Sequence, residues 1–349
     1  MKKITVNTSR VYEVFIGGGL LSRAGELLAA AVPVQKALVV SDDIVYPLYG
    51  KTLESSLSAA GFSCRNFVFP NGEAHKRLSV IEEILEYLAK EHFCRSDVVV
   101  ALGGGVCGDM AGFAAAIFCR GIRYIQVPTT LLAAVDSSVG GKTAVDLSCG
   151  KNLCGAFHQP ALVLCDTDTL STLAPQNTAD GLAEMLKYGV ICDADLFEKV
   201  KNYKNEDMES LIARCVEIKR DVVAEDEFDR GTRQLLNLGH TVGHAIEAAS
   251  DFKITHGQGV AAGMAIVARG AEALGLCTPG TAKQIEDALD ACGLPQNCDF
   301  DADTLATLTL SDKKADGDFI NLIIPRRIGK CEIVRTKQDD VRRLIARGL

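Results

Sequence analysis

Apolar and polar positions change rhythm about halfway along the chain. In the first half, short runs of Val, Ile and Leu alternate with stretches of helical period. Residues 36–41 (KALVVS), 63–69 (SCRNFVF), 97–102 (DVVVAL), 124–127 (YIQV) and 162–165 (LVLC) predict strands, most of them closed by glycine or turn residues. Between them, Ile81, Ile84, Leu85 and Leu88 recur at the spacing of one helix face. Apolar strands separated by helices imply a mostly parallel sheet. From about residue 172 helices take over, predicted over 179–190, 208–223, 231–250, 259–274 and 281–292. The last is stopped by Gly293 and Pro295. Residues 319–324 and 331–334 flank a turn at 328–330 and predict a hairpin. The fold class is therefore α/β: an α/β domain over residues 1–172, then a mainly α-helical domain over 173–349. A length of 349 residues fits two domains.

Composition narrows the class of protein. No run reaches the roughly 18 uninterrupted apolar residues of a membrane-spanning helix. The start, Met1-Lys2-Lys3-Ile4, is followed by Asn7, Thr8, Ser9, Arg10 and Glu13, which break any signal-peptide core. A cytoplasmic protein with no membrane partner is expected. A formal net charge of −8 argues against nucleic acid as a partner, but not against an anionic small molecule held in a basic pocket. The 13 cysteines include no CxxC pair and read as small buried hydrophobes in a reducing compartment.

Gly103-Gly104-Gly105-Val106-Cys107-Gly108-Asp109 fits G-x-G-x-x-G directly after a predicted strand. Its glycines allow a tight turn and close approach to a pyrophosphate, and the following helix offers its N–H groups to the anion. This predicts a Rossmann-like nucleotide site. No acidic residue ends the next strand, which closes in Pro128-Thr129-Thr130, so the ribose-binding role passes to Asp42.

The second chemical signal is Asn237-Leu238-Gly239-His240-Thr241-Val242-Gly243-His244-Ala245-Ile246-Glu247, followed by His256-Gly257. It holds three of only six histidines. His240 and His244 share one helix face, and His256 can fold back from the next element. Two structural histidines on a buried helix are one reading. The third His and the nucleotide motif favour a metal site. The spacing lacks the second-position Glu of H-E-x-x-H, which disfavours a zinc protease.

Cationic and polar residues cluster in the middle of the chain. Residues 135–143 (VDSSVGGKT) form a Gly/Ser-rich loop carrying Lys142, without Walker spacing, because Asp136 stands where a Gly is needed. Gly150-Lys151-Asn152 repeats the pairing of glycine with lysine. Arg120, Lys219, Arg233, Lys313 and Lys314 are further candidate anion binders. Lys187 follows Glu184 by three residues on one predicted helix, as an ion pair or facing a site.

Together these segments resemble the 3-dehydroquinate synthase family of sugar phosphate cyclases, in the shikimate pathway of aromatic amino acid biosynthesis. The matching text is Pro70-Asn71-Gly72-Glu73, residues 103–109, QVPTTLL at 126–132, VDSSVGGKT, Gly150-Lys151-Asn152 and GLAEMLKYG at 181–189. It continues through RQLLNLGHTVGHAIE at 233–247, His256-Gly257 and Asp312-Lys313-Lys314. The resemblance implies an NAD-binding Rossmann-like domain, a helical metal- and substrate-binding domain, and a homodimer. It implies a lyase that converts 3-deoxy-D-arabino-heptulosonate 7-phosphate to 3-dehydroquinate and phosphate. NAD+ is reduced and regenerated within the cycle, and Zn2+ or Co2+ assists.

By that resemblance the metal ligands are Glu184, His240 and His256, rather than the His240–His244 pair that spacing suggests. His244 becomes a hydrogen-bond partner near the substrate. Asp136, Lys142, Lys151, Asn152, Lys187, Lys219, Arg233 and Asn237 match substrate or catalytic positions, with Lys313 and Lys314 holding an anionic end. Arg120 matches an arginine that reaches into the neighbouring subunit's site. The implied NAD contacts are Asp42, Glu73, Lys76, Gly104, Gly105, Val106, Asp109, Thr129, Thr130, Lys142, Lys151, Thr169, Leu170 and Thr172. Two departures stand out. After Thr143 the chain reads Ala144-Val145-Asp146-Leu147-Ser148 where Asn-His-Pro is usual, and Gln258 replaces the usual Glu. The alternatives are a sister cyclase making an inosose or valiolone, and a metal-dependent polyol dehydrogenase that would release NADH.

Overall fold

The computed structural model describes residues 1–310, 315–316 and 319–349. They form two compact units, Met1–Leu173 with Val216–Phe228, and Ala174–Cys215 with Asp229–Leu349. The division is not a single cut near residue 172: a segment from the middle of the later half belongs to the first unit.

The first unit is built from β1 (Lys2–Val6), β2 (Tyr12–Gly17), α1 (Ala24–Ala31), β3 (Lys36–Asp42), α2 (Lys51–Ala59), β4 (Ser63–Phe69), α3 (Leu78–Lys90), β5 (Val98–Gly103), α4 (Gly105–Ile117), β6 (Arg123–Pro128), the hairpin β7 (Lys142–Leu147) and β8 (Gly150–Phe157), and β9 (Leu162–Asp166). Seven strands make one sheet in the order β1-β2-β9-β6-β5-β3-β4. It is parallel except where β1 pairs antiparallel with β2. Strand residues alternate between two cores. Leu38, Val40, Val99 and Ala101 pack with Ile81, Ile84 and Leu88 of α3 and Met110 of α4. Ala37, Val39, Val98 and Val100 pack with Leu28 of α1 and with Leu53 and Leu57 of α2. Burial on both faces explains why these strands read as continuous apolar runs. From β3 the chain adds β4 on one side and β5 on the other. That reversal places the carboxyl ends of β3 and β5 at the topological switch point, where open α/β sheets bind ligands.

The second unit contains α5 (Pro175–Cys192), α6 (Ala194–Lys201), the first half of α7 (Met208–Glu225), α8 (His240–Ala249), α9 (His256–Ala273), α10 (Thr281–Ala291), α11 (Ala302–Leu310), β10 (Ala315–Asp316), β11 (Phe319–Arg327), β12 (Lys330–Lys337) and α12 (Gln338–Gly348). β11 and β12 form the expected antiparallel hairpin. Val242, Ala245 and Ile246 of α8 and Ile266 and Val267 of α9 meet Leu322 of β11 and Leu344 of α12 in one core.

Two expectations need correction. The helix expected over 231–250 is broken into a 3-10 turn (Thr232–Asn237) and α8. Gly239 between them is left-handed at φ 77°, and a Cβ there would lie 2.6 Å from the Val260 carbonyl oxygen. The last two residues of the Gly/Ser-rich stretch, read as a loop, instead start the β7–β8 hairpin at Lys142.

Candidate active site

Backbone packing gathers the histidine cluster in the second unit. α8 and α9 touch where glycine faces glycine: a Cβ on Gly243 would lie 2.8 Å from the carbonyl carbon and oxygen of Gly259. No larger residue permits that approach, and it brings His240 and His244 of α8 against His256 at the start of α9. Ring centroids are 5.1 Å apart for His240 and His256 and 5.4 Å for His240 and His244. α9 starts with a capping box: Thr255 caps it, and Gln258 Oε1 accepts from the Thr255 N–H at 3.1 Å. The departure at Gln258 therefore keeps the helix start intact. Thr255 Oγ1 also donates to Asp180 on α5 at 2.6 Å, one turn before Glu184.

Glu184 is fully buried at the centre of this cluster. Its Oε1 lies 3.5 Å from His240 Nε2 and 3.3 Å from His256 Nε2. Lys187 Nζ sits against the other oxygen as a buried ion pair. The Nδ1 of His240 donates to the Leu238 carbonyl at 3.1 Å, and the Nδ1 of His256 donates to Glu247 at 2.9 Å. With an ion bound and both rings neutral, the two Nε2 lone pairs would be left to face it beside Glu184. One donor atom from each of Glu184, His240 and His256 lies within 4.8 Å of the others. A tetrahedral zinc with ligand bonds of about 2.0–2.1 Å separates its donors by about 3.3 Å, so the spacing fits the ion. A carboxylate with two imidazoles also suits zinc or cobalt by donor type. Burial would lower the pKa of His256, but the carboxylates of Glu184 and Glu247 outweigh it and raise it to about 10. The environment favours positive charge at this point.

The first unit carries the glycine motif at the switch point. Gly103 ends β5 and Gly105 begins α4, with Asp42 at the end of β3. Asp42 Oδ1 accepts from the N–H groups of Ile44 and Val45, each at 2.9 Å, which fixes its carboxylate. A Cβ on Gly104 would lie 3.1 Å from Thr130 Cγ2, and one on Gly105 3.1 Å from Ser137 Oγ. Bare backbone beside Thr130 and the N-terminus of α4 has the form that suits a pyrophosphate. Thr129 Oγ1 is buried with no hydrogen-bond partner among the described residues, an acceptor or donor that a ligand would satisfy. These features fit a dinucleotide. Thr169, Leu170 and Thr172 lie in the 3-10 turn Thr167–Thr172, tied to Tyr49, whose hydroxyl donates to the Thr169 carbonyl at 3.0 Å.

A polar network stands beside the motif. Lys76 Nζ meets Asp109 Oδ2 at 2.7 Å and Asn152 Oδ1 at 2.6 Å. Burial would lower the pKa of Lys76, but Asp109 and Glu73 raise it. Lys151 Nζ is 3.7 Å from Glu73. Asp146, at the departure in the 144–148 segment, accepts from the Asn152 N–H at 2.7 Å, while its own N–H donates to the Lys76 carbonyl at 2.8 Å. The departure thus builds the turn that carries Lys151 and Asn152. Lys219, on the part of α7 that belongs to this unit, reaches the Asp136 carboxylate at 2.7 Å and its carbonyl at 2.5 Å.

Other residues singled out in the sequence are placed as follows. Arg233 is buried and Asn237 half-buried on the 3-10 turn before α8. Lys142 is exposed at the start of β7. Val106 lies in the first turn of α4. Arg120 is exposed at φ 66° on the turn after α4. Lys313 and Lys314 lie outside the described residues. Two residues went unassigned by sequence reasoning, Glu247 and Asp180. Glu247 stood inside the histidine motif, but its partner lies on another helix.

The geometry defines a class first: an α/β nucleotide-binding fold and a helical unit with a carboxylate–imidazole cluster of the kind that can hold a metal ion. Solved structures share the fold. The fold matches 2-deoxy-scyllo-inosose synthase, complexed with carbaglucose-6-phosphate, NAD+ and Co2+, with a TM-score of 0.87 and 27% identity over all of both chains. It matches ValA, the 2-epi-5-epi-valiolone synthase of Streptomyces hygroscopicus subsp. jinggangensis with NAD+ and Zn2+ bound, with a TM-score of 0.88 and 26% identity over 98% of each. The family "3-dehydroquinate synthase N-terminal" matches residues 66–180, and "3-dehydroquinate synthase C-terminal" matches 181–315. A 3-dehydroquinate synthase of Gloeobacter violaceus is 44% identical over 91% of each chain. The chain belongs to the 3-dehydroquinate synthase family. Among its described residues no helix is long and apolar enough to cross a membrane.

Proposed function

We propose that this protein converts 3-deoxy-D-arabino-heptulosonate 7-phosphate to 3-dehydroquinate and inorganic phosphate, using recycled NAD+ and a zinc or cobalt ion. The observation that carries the proposal is the convergence of Glu184, His240 and His256 at zinc spacing in a chain of this family. When bound, NAD+ takes a hydride from the substrate and returns it, while the ion acidifies the hydroxyl that is oxidised.

In this reading Glu184, His240 and His256 hold the ion. Asp42 meets the ribose, and Gly104, Gly105 and the start of α4 meet the pyrophosphate. Glu73, Lys76, Asp109, Thr129, Thr130 and the 169–172 turn complete the nucleotide site. Lys142, Lys151, Asn152, Lys187, Lys219, Arg233, Asn237 and His244, which match substrate positions of the family, bind the anionic substrate. A substrate with both a phosphate and a carboxylate calls for this concentration of cations, and the planar guanidinium of Arg233 suits the carboxylate. Lys219 is restrained by two contacts to Asp136, which orients its ammonium before substrate arrives. The substrate's own phosphate serves as base for its elimination, so the side chains mainly orient and neutralise. The protein works as a cytoplasmic homodimer in which Arg120 reaches the neighbouring subunit's site.

The test compares phosphate release from the heptulosonate 7-phosphate with release from sugar phosphates that lack a carboxylate. Release confined to the carboxylated substrate is expected. Preference for an uncarboxylated sugar phosphate would make the protein a sister cyclase and overturn the substrate assignment.

A further inference from the structure

Glu247 has no role in the reading above, yet it is among the most deeply buried charged residues of the second unit, 1% exposed. It stands on α8, one turn beyond His244 and two beyond His240. A buried carboxylate carries a large desolvation cost and persists where a specific partner compensates it. One such partner here is His256, whose Nδ1 donates to Glu247 Oε1 at 2.9 Å.

We infer that Glu247 is the positioning residue of the metal site, acting through His256 without itself holding the ion; the inference rests on the metal reading above. With its Nδ1 proton committed to Glu247, a neutral, metal-bound His256 ring would present Nε2 as the donor on the side of Glu184, whose Oε1 is 3.3 Å away. A carboxylate behind an imidazole fixes tautomer and ring orientation and strengthens the ring as a donor. His240 is held differently, by the neutral carbonyl of Leu238. The two imidazoles therefore differ in donor strength, with His256 the stronger.

Packing makes the contact possible. A Cβ on Gly259 would lie 3.1 Å from Glu247 Cγ and 3.0 Å from the Gly243 carbonyl oxygen. Glycine on both helices lets the Glu247 side chain run along α9 to the ring of His256. His244, Glu247 and His256 also form a donor group within 4.8 Å, so direct ligation by Glu247 is the competing arrangement. It would require His256 to turn Nδ1 toward the ion and give up the hydrogen bond that Nδ1 makes.

The test uses the full-length protein stripped of metal and titrated with zinc against a competing chelator, then with cobalt while the visible spectrum is followed. Glu247→Gln keeps an acceptor and the side-chain volume but removes the charge. Expected are zinc binding about 10-fold weaker, a shifted cobalt spectrum and an unchanged melting temperature of the metal-free protein. Glu247→Ala is expected to weaken binding by up to about 100-fold. Wild-type zinc binding with a Glu247→Gln affinity within twofold of it overturns this inference alone. A fall in melting temperature with an unshifted cobalt spectrum overturns it in favour of a purely structural role. Loss of binding in Glu247→Gln as complete as in Glu184→Ala makes Glu247 a ligand and overturns it too. No zinc binding by the wild type overturns the metal reading together with it.

Discussion

Gly243→Ala perturbs the packing that gathers the metal cluster without touching any ionisable group. A Cβ at 243 would lie 2.8 Å from the Gly259 carbonyl carbon and oxygen and 3.0 Å from the Val260 nitrogen. Carbon contacts settle at about 3.5–4.0 Å, so α8 and α9 must separate by roughly 0.7 Å. The obstacle is backbone, which cannot swing aside as a side chain would. Alanine gains about 0.8–1.0 kcal/mol over glycine in a helix interior. Overpacking costs about 1–3 kcal/mol. The net is a loss of about 1 kcal/mol, small beside its effect on the site. His240 Nε2 and His256 Nε2 stand 3.5 and 3.3 Å from Glu184 Oε1, and moving α8 by about a fifth of that distance spoils the convergence. Zinc affinity is expected to fall at least tenfold, by about 1.4 kcal/mol or more, with a melting temperature lowered by a few degrees. Chelator competition and thermal unfolding of the variant measure both. Unchanged zinc affinity in a folded Gly243→Ala protein would refute the claim that this helix contact sets the donor spacing.

Three further outcomes are expected. Thr255→Ala removes the cap of α9 and the 2.6 Å bond to Asp180, and should cost about 1 kcal/mol by thermal unfolding, with Thr255→Ser close to wild type. His256→Ala should abolish metal-dependent turnover while circular dichroism shows the fold retained; near-full activity would remove His256 from the ligand set. Asp193 caps α6 by accepting from the Leu196 N–H at 2.9 Å and pairs with Arg214 at 2.7 Å. Burial pushes its carboxyl up, but these bonds outweigh burial and hold it below the ordinary value of 3.8. A carboxyl depressed in the folded state contributes stability above its unfolded pKa and loses it as pH falls through the folded value. Asp193→Asn should therefore lower the melting temperature at neutral pH and have progressively less effect below about pH 4.

Much of this architecture was legible in the chain because the features involved are local. The strand β5 reads as apolar throughout because both its faces are buried, and the glycines after it sit where a strand turns into a helix. The histidines declare a metal by number and spacing. What stayed hidden depends on contacts across long stretches of chain. The break at Gly239 follows from the close approach of α9, which helical periodicity does not register. Glycine and serine in the 135–143 stretch disguised the start of the β7–β8 hairpin. Lys219 meets Asp136 only because the second half of α7 belongs to the first unit. Spacing alone paired His240 with His244; the structure instead turns the Nε2 atoms of His240 and His256 toward Glu184, a residue more than fifty positions earlier.

The most direct measurement counts phosphate released per NAD+ from the heptulosonate 7-phosphate, with absorbance followed for NADH, before and after chelation. Many phosphates per NAD+, no accumulating NADH, and activity that disappears on chelation and returns with zinc or cobalt are expected. NADH accumulating in step with turnover, or phosphate release indifferent to the metal, would contradict it.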